Sequence, residues 1–325
     1  MSKATHPSKM HSSASASSAS STGSTGSPQA GPRLSRRTAL LQAAGTAAGV
    51  VLASSAGVLA ADEAPAAADL PAAHNGRVNQ TVCKWCFDGK VDLEKLCAES
   101  AKMGLRGVDL VGPDAWPTLK KYNLVGTMTP SHPIDPGLAH KENHEMCLAK
   151  IRKAVEATAD AGFPNVICFS GNRKGMDDQE GMKNCAEALK QVVGLAEEKK
   201  VTICMELLNS RVNHHDYMCD HSEWGIALVK MVGSERFRLL YDIYHMQIME
   251  GDVIATIKKN HEYFAHYHTA GVPGRHEIDD TQELNYPAIM HAIVETGYKG
   301  WVGQEFIPVH EPIASLQQAA RLCDV

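Results

Sequence analysis

The residues best suited to chemistry in this 325-residue chain lie in four apolar runs of its second half. Val201–Leu207 carries Glu206, Phe237–Ile243 carries Asp242, Tyr263–Thr269 carries His266 and His268, and Gly300–Phe306 carries Glu305. Each acidic or imidazole group sits toward the C-terminal end of its run, where a charge is costly unless something compensates it. Three carboxylates and one imidazole brought together make a donor set for one divalent metal ion. Mixed oxygen and nitrogen donors suit Mn2+, Mg2+, Co2+ or Zn2+ and do not choose among them. His266 and His268 alternate and so share a face. His268 is the expected ligand because the loop begins just beyond it, and His266 is the alternative. Taken singly, Glu206 or Glu305 would serve as half of a buried ion pair, and Asp242 as a helix cap.

Such a site suits isomerisation or epimerisation of a small hydroxy-carbonyl compound. A cation chelating a carbonyl and its neighbouring hydroxyl acidifies the C–H between them and stabilises the enediolate. Glu206 and Glu305, on different strands, are the expected catalytic proton carriers. For substrate binding, His245 is placed to polarise a carbonyl or hold a hydroxyl, and Arg275 to pair with a carboxylate. A rim ion pair with Glu277 or Asp279 is the alternative for Arg275. Asn209 and Gln247 are expected as neutral contacts to substrate hydroxyls or to the ligands. Trp85 reads as an apolar wall or a core residue, Trp116 and His132 as outer contacts, and the Pro- and His-rich loop Thr129–Lys141 as a cover.

The elements that must position these groups recur eight times. Four earlier strand-like runs, Asn79–Trp85, Gly107–Val111, Leu124–Met128 and Asn165–Phe169, precede the four above. Between them the apolar residues recur at helical spacing, as in Leu93, Leu96, Cys97 and Ala101. Gly104, Gly162 and Gly297 stand where helices close ahead of the next strand. Eight alternating units predict a (β/α)8 TIM barrel, in which chemistry collects at the C-terminal strand ends. A doubly wound sheet would carry a Gly-rich phosphate loop after the first strand, and this chain has none there.

Composition narrows the class further. A hydrophobic fraction of 44% supports a large core, and a net charge of −5 argues against nucleic acid as a partner. The nine cysteines are odd in number and irregularly spaced, against a disulfide framework. Cys83 and Cys86 have redox-motif spacing, but in a strand-like run rather than at a helix start, so they read as structural.

Residues 1–61 read as a disordered leader, rich in Ser, Ala, Gly and Thr, followed by an export signal. Arg36-Arg37 ahead of a weakly apolar run resembles a twin-arginine signal, although Ala39 stands where Phe is common. Residues 62–76 are an Ala- and Pro-rich linker, and 77–325 form one barrel domain. The expectation is a periplasmic or extracellular enzyme delivered by the twin-arginine export machinery, with no stable membrane span in the mature form. Homo-oligomerisation is compatible with the sequence and not specified by it.

The fragments MELLNSR, YDIYHMQ, HYHTAGVPGRHEID, ELNYPAI and GYKGWVGQEF resemble the hydroxypyruvate isomerase branch of the xylose isomerase-like barrels, over roughly residues 77–312. The resemblance implies a (β/α)8 barrel and one divalent metal on Glu206, Asp242, His268 and Glu305. It also implies proton exchange by the two glutamates, and substrate oxygens held by His245 and Arg275. The implied reaction is of the hydroxypyruvate to tartronate semialdehyde type. His268 replaces a Gln found in some hydroxypyruvate isomerases and is closer to ketose 3-epimerases. The alternatives are therefore a ketose 3-epimerase, an inosose-dehydratase-like enzyme, or a non-enzymatic exported sugar- or polyol-binding barrel. An endonuclease IV type of barrel would need further His and acidic ligands.

Overall fold

The strands are short and buried on both faces, as the continuous apolar runs require. The computed structural model describes residues 71–325; the leader, the twin-arginine pattern and most of the 62–76 linker lie outside the described residues. The strands are β1 (Asn79–Cys83), β2 (Gly107–Asp109), β3 (Val125–Met128), β4 (Asn165–Cys168), β5 (Thr202–Leu207), β6 (Phe237–Asp242), β7 (Phe264–Thr269) and β8 (Trp301–Gln304). The first helices are α1 (Leu93–Lys102), α2 (Trp116–Lys121), α3 (His144–Ala161), α4 (Asp178–Lys190) and α5 (Val193–Lys199). They are followed by α6 (Ser222–Val232), α7 (Ile243–Met249), α8 (Val253–Asn260), α9 (Tyr286–Glu295) and α10 (Pro312–Leu322).

All strand pairs are parallel, in the order β3-β2-β1-β8-β7-β6-β5-β4. The remaining gap is bridged just beyond β3: the Thr129 N–H donates to Asn165 O at 2.9 Å, and the Ile167 N–H donates to Thr129 O at 3.0 Å. The eight-unit barrel expected from the sequence is therefore the fold, and the described residues, 71–325, form one compact unit. Local chemistry sets the helix limits. Asp92 caps α1 by accepting from the Lys95 N–H, and Asp177 caps α4 in the same way. Gly162 ends α3 in the left-handed region at φ 74°.

Several strands end earlier than their apolar runs, β1 and β2 among them. β1 stops at Cys83, and Lys84–Phe87 coil into a 3-10 turn that carries Trp85 out to the barrel mouth. β2 stops at Asp109 because Leu110 takes φ 59°. The loop expected to cover the pocket is pinned to the segment after β4, with the Leu138 and Ala139 N–H groups donating to Phe169 O (3.1 Å) and Ser170 O (2.7 Å). Trp116 belongs to the core: its Nε1–H donates to Val111 O at 3.1 Å, and its ring meets Phe163 edge-on. All nine cysteines are buried and free, Cys83 and Cys86 included. Among the described residues, no helix is long and apolar enough to cross a membrane.

Candidate metal centre and active site

Strand register assembles the site. Asp242 is the last residue of β6 and pairs with His268 of β7, which pairs in turn with Gly303 of β8. Glu206 comes from the C-terminal end of β5, and Glu305 is the first residue beyond β8. One donor atom from each of Glu206, Asp242, His268 and Glu305 lies within 4.8 Å of every other. His268 Nδ1 is 2.7 Å from Glu305 Oε2 and 3.5 Å from Glu206 Oε1. All four residues are buried.

Arg275, on the loop after β7, reaches into this cluster. Its Nη2 donates to Glu305 Oε2 at 2.6 Å and to Asp242 Oδ2 at 3.2 Å. The guanidinium lies 5.3 Å from the ring centroids of both Trp85 and Tyr244, a cation–π arrangement that fixes its plane. The rim pair with Glu277 or Asp279 is not formed. Glu277 instead accepts from the Val309 and His310 N–H groups and from Ser315 Oγ, while Asp279 accepts from Thr281. Asp242 also caps α7 by accepting from the His245 N–H at 3.2 Å, so its two expected readings coexist.

His245 is buried beside the cluster, with Nε2 3.6 Å from Asp242 Oδ2. Its Nδ1 accepts from the Asn209 backbone N–H at 3.1 Å and faces Asn209 Nδ2 at 2.7 Å. A nitrogen that accepts carries no proton, so the other, Nε2, carries the N–H and has no partner among the described residues. Burial first, and then Arg275, push its pKa well below the usual histidine value, which keeps the ring neutral. Asn209 serves His245 and its own loop, accepting from the Val212 and Asn213 N–H groups. Gln247 points elsewhere and donates to Glu283 Oε1 at 3.0 Å.

The cluster carries more negative charge than its protein cations neutralise. Burial pushes Asp242 up to about 8, with Glu305 and Glu206 adding to the rise against Arg275. Burial also raises Glu206, with the Glu305 charge adding to it. Glu305 goes the other way despite burial: His268, Arg275 and the Trp85 indole hold it well below the usual carboxylate range. Burial works against a charged His268, yet Cys83, Glu305 and Asp109 outweigh it and raise its pKa. Glu206 Oε1 and His268 Nδ1 are buried with no hydrogen-bond partner. Under-neutralised carboxylates and unpartnered donor atoms converging on one point fit a divalent cation.

Two residues, Trp85 and Asp109, make contacts outside the expected set. The Trp85 Nε1–H donates to Glu305 Oε1 at 2.8 Å, and Asp109, at the end of β2, faces both His266 Nε2 (2.7 Å) and His268 Nε2 (3.2 Å). The Asp109 signal was a lone acid in the middle of the apolar run Gly107–Val111. His266 thus faces Asp109, while His268 presents Nδ1 to Glu206 and Glu305.

Residues 97–324 match the family described as Xylose isomerase-like TIM barrel. Curated relatives include a putative hydroxypyruvate isomerase of Homo sapiens, 28% identical over 51% of this chain and 62% of that protein. A 2-oxo-tetronate isomerase of Cupriavidus necator is 37% identical over 38% of this chain and 46% of that protein. The chain thus spans about half to two thirds of the length of these relatives. The hydroxypyruvate isomerase of Escherichia coli is matched more fully, at 23% identity over 68% of this chain and 90% of that protein. Among solved structures, an AP endonuclease, family 2 from Brucella melitensis superposes with TM-score 0.68 at 26% identity, over 74% of this chain and 96% of that one. A D-psicose 3-epimerase from Clostridium cellulolyticum gives 0.60 at 17% identity over 76% and 96%, a likeness of fold alone. Fold, strand-end site and matched span agree, and the chain belongs to the xylose isomerase-like TIM barrel family.

Proposed function

We propose that this chain is a divalent-metal-dependent isomerase that moves hydrogen between adjacent carbons of a small hydroxy-carbonyl compound of the hydroxypyruvate or 2-oxo-tetronate type. The observation that carries the reading is the buried tetrad of Glu206, Asp242, His268 and Glu305, with two glutamates facing each other across one imidazole nitrogen. The names of the relatives, hydroxypyruvate isomerase and 2-oxo-tetronate isomerase, support the same chemistry. A cation bound to the tetrad supplies positive charge where the enediolate oxygens develop theirs.

The protein groups divide the remaining work. Glu305, held ionised, is the group equipped to take a proton from carbon, and Glu206, with a raised pKa and a free oxygen, to return one. The neutral His245 offers its Nε2–H to a carbonyl or hydroxyl oxygen. Arg275, already charged and held between two aromatic rings, offers a planar partner for a substrate carboxylate.

Ketose 3-epimerisation begins with the same proton removal, and a histidine at position 268 is the feature that keeps it as the second reading. For a nuclease, separate ligand sets would be expected. Among the described residues every metal-capable group contains His268, which describes one centre. We also infer, from Arg36-Arg37 and the apolar run after them, that the protein is exported by the twin-arginine route.

The test is a substrate panel of hydroxypyruvate, tartronate semialdehyde, a 2-oxo-tetronate, ketoses and inososes, run on protein whose metal content is measured. Turnover of a short 2-oxo acid that disappears with the metal is expected. Turnover of ketoses alone would favour the epimerase. Activity on none of them, with the metal bound, would favour a binding barrel and overturn the isomerase.

A further inference from the structure

We propose that Asp109 is a positioning residue that fixes the tautomer and ring orientation of His268 and so sets the metal affinity of the tetrad. The proposal rests on the metal reading given above. Asp109 closes β2, on the far side of His268 from the three carboxylate ligands, and is fully buried with no lysine or arginine beside it. A buried carboxylate in that position needs donors, and four groups surround it. Thr127 Oγ1 donates to Oδ1. His266 Nε2 and His268 Nε2 lie 2.7 Å and 3.2 Å from Oδ2, and Cys83 Sγ lies 3.9 Å from it.

An ionised carboxylate only accepts, so both imidazole Nε2 atoms carry hydrogen. For His268 this makes Nδ1, which faces Glu206 and Glu305, the nitrogen available to a metal, and Nε2 the one that keeps its hydrogen when the metal binds. A carboxylate behind a ligating imidazole holds the ring in place and raises its basicity. The neighbouring strand makes room for this arrangement. A Cβ on Gly303 would run into Asp109 Oδ2 and lie 2.9 Å from His268 Cδ2. His266, with its ring perpendicular to His268 at 5.0 Å, is then a second donor holding Asp109. The competing reading makes Asp109, His266 and His268 the ligands of a second ion, which would need both Nε2 atoms deprotonated.

The experiment compares wild type with Asp109→Asn and Thr127→Val as full-length proteins. It reads Mn2+ affinity and stoichiometry, the Co2+ absorption spectrum, and the His268 Nε2–H by proton–nitrogen NMR of Zn2+-loaded protein. The expected wild type binds one equivalent of Mn2+ and, loaded with Zn2+, holds a slowly exchanging His268 Nε2–H against Asp109. Asp109→Asn should weaken Mn2+ binding about 10–100-fold, shift the Co2+ bands and speed exchange of that Nε2–H. Thr127→Val, which leaves the carboxylate but removes one donor, should weaken binding in the same direction by less, and it decides the matter if Asp109→Asn does not fold. Unchanged affinity and unchanged Nε2–H exchange in a folded variant would overturn the positioning role while leaving the metal site intact. Two equivalents in wild type falling to one in the variant would make Asp109 a ligand and overturn it as well. A wild type that binds no divalent ion would defeat the metal reading itself.

Discussion

Glu206 and Glu305 are the same residue type placed in opposite surroundings, and that asymmetry comes from three neighbours of Glu305. His268 Nδ1, the Arg275 guanidinium and the Trp85 indole N–H all face Glu305, whereas Glu206 Oε1 has no hydrogen bond. Replacing either glutamate by glutamine should lower turnover at least 100-fold without unfolding the protein, as measured by steady-state rates beside far-UV circular dichroism. Trp85→Phe keeps a ring against Arg275 but deletes the donor to Glu305. A hydrogen bond to a charged group is worth about 1.5–3 kcal/mol, so a loss of about 10–100-fold in kcat is expected. An unchanged kcat would show that this bond does not tune the glutamate. The four ligand candidates were legible in the sequence because each is a polar residue ending an apolar run. The Trp85 contact was not, because its indole reaches Glu305 only through the 3-10 turn at Lys84–Phe87. A reading by alternation extends that segment as strand.

At the scale of the elements, the site depends on β7 and β8 lying in one register, with His268 beside Gly303. Gly303→Ala places a methyl where Asp109 and His268 already are. Overpacking of this kind costs about 1–3 kcal/mol, and here it should also weaken Mn2+ binding. A thermal melt and a Mn2+ titration on the same preparation check both effects. A variant that binds Mn2+ as tightly as wild type would show that β8 does not shape the site. Barrel class and strand count were readable from eight alternating units. The role of β2 was not, because a three-residue strand carries too little periodicity to mark Asp109 as facing inward. Asn209 and Gln247 show a related limit: spacing places both just beyond their strands. Only the fold shows that Asn209, on the loop after β5, holds His245 and that Gln247, on α7, turns toward Glu283.

Across the whole molecule, buried neutral histidines couple folding to pH. Burial, helped by Lys150, pushes His132 down to about 4 although the Pro133 and Pro136 carbonyls oppose the change. The unfolded chain takes up a proton near pH 6.5 and the folded chain only near pH 4. This contribution is therefore complete above about pH 6.5 and is lost progressively as pH falls toward 4, about 3 kcal/mol in all. Melting curves from pH 4 to 7 should show a shallower fall for His132→Gln than for wild type; parallel curves would contradict the assignment. At the other end of the chain, an Arg36→Lys, Arg37→Lys double variant should hold the protein in the cytoplasm, as read by cell fractionation. Normal export would rule out the twin-arginine route. The most direct measurement of the central account is hydrogen exchange in D2O on Mn2+-loaded protein with hydroxypyruvate, monitored by mass spectrometry. Wild type should place deuterium on carbon, and both Glu305→Gln and metal-stripped wild type should not. Deuterium uptake that survives either change would contradict the assignment of proton transfer to this centre.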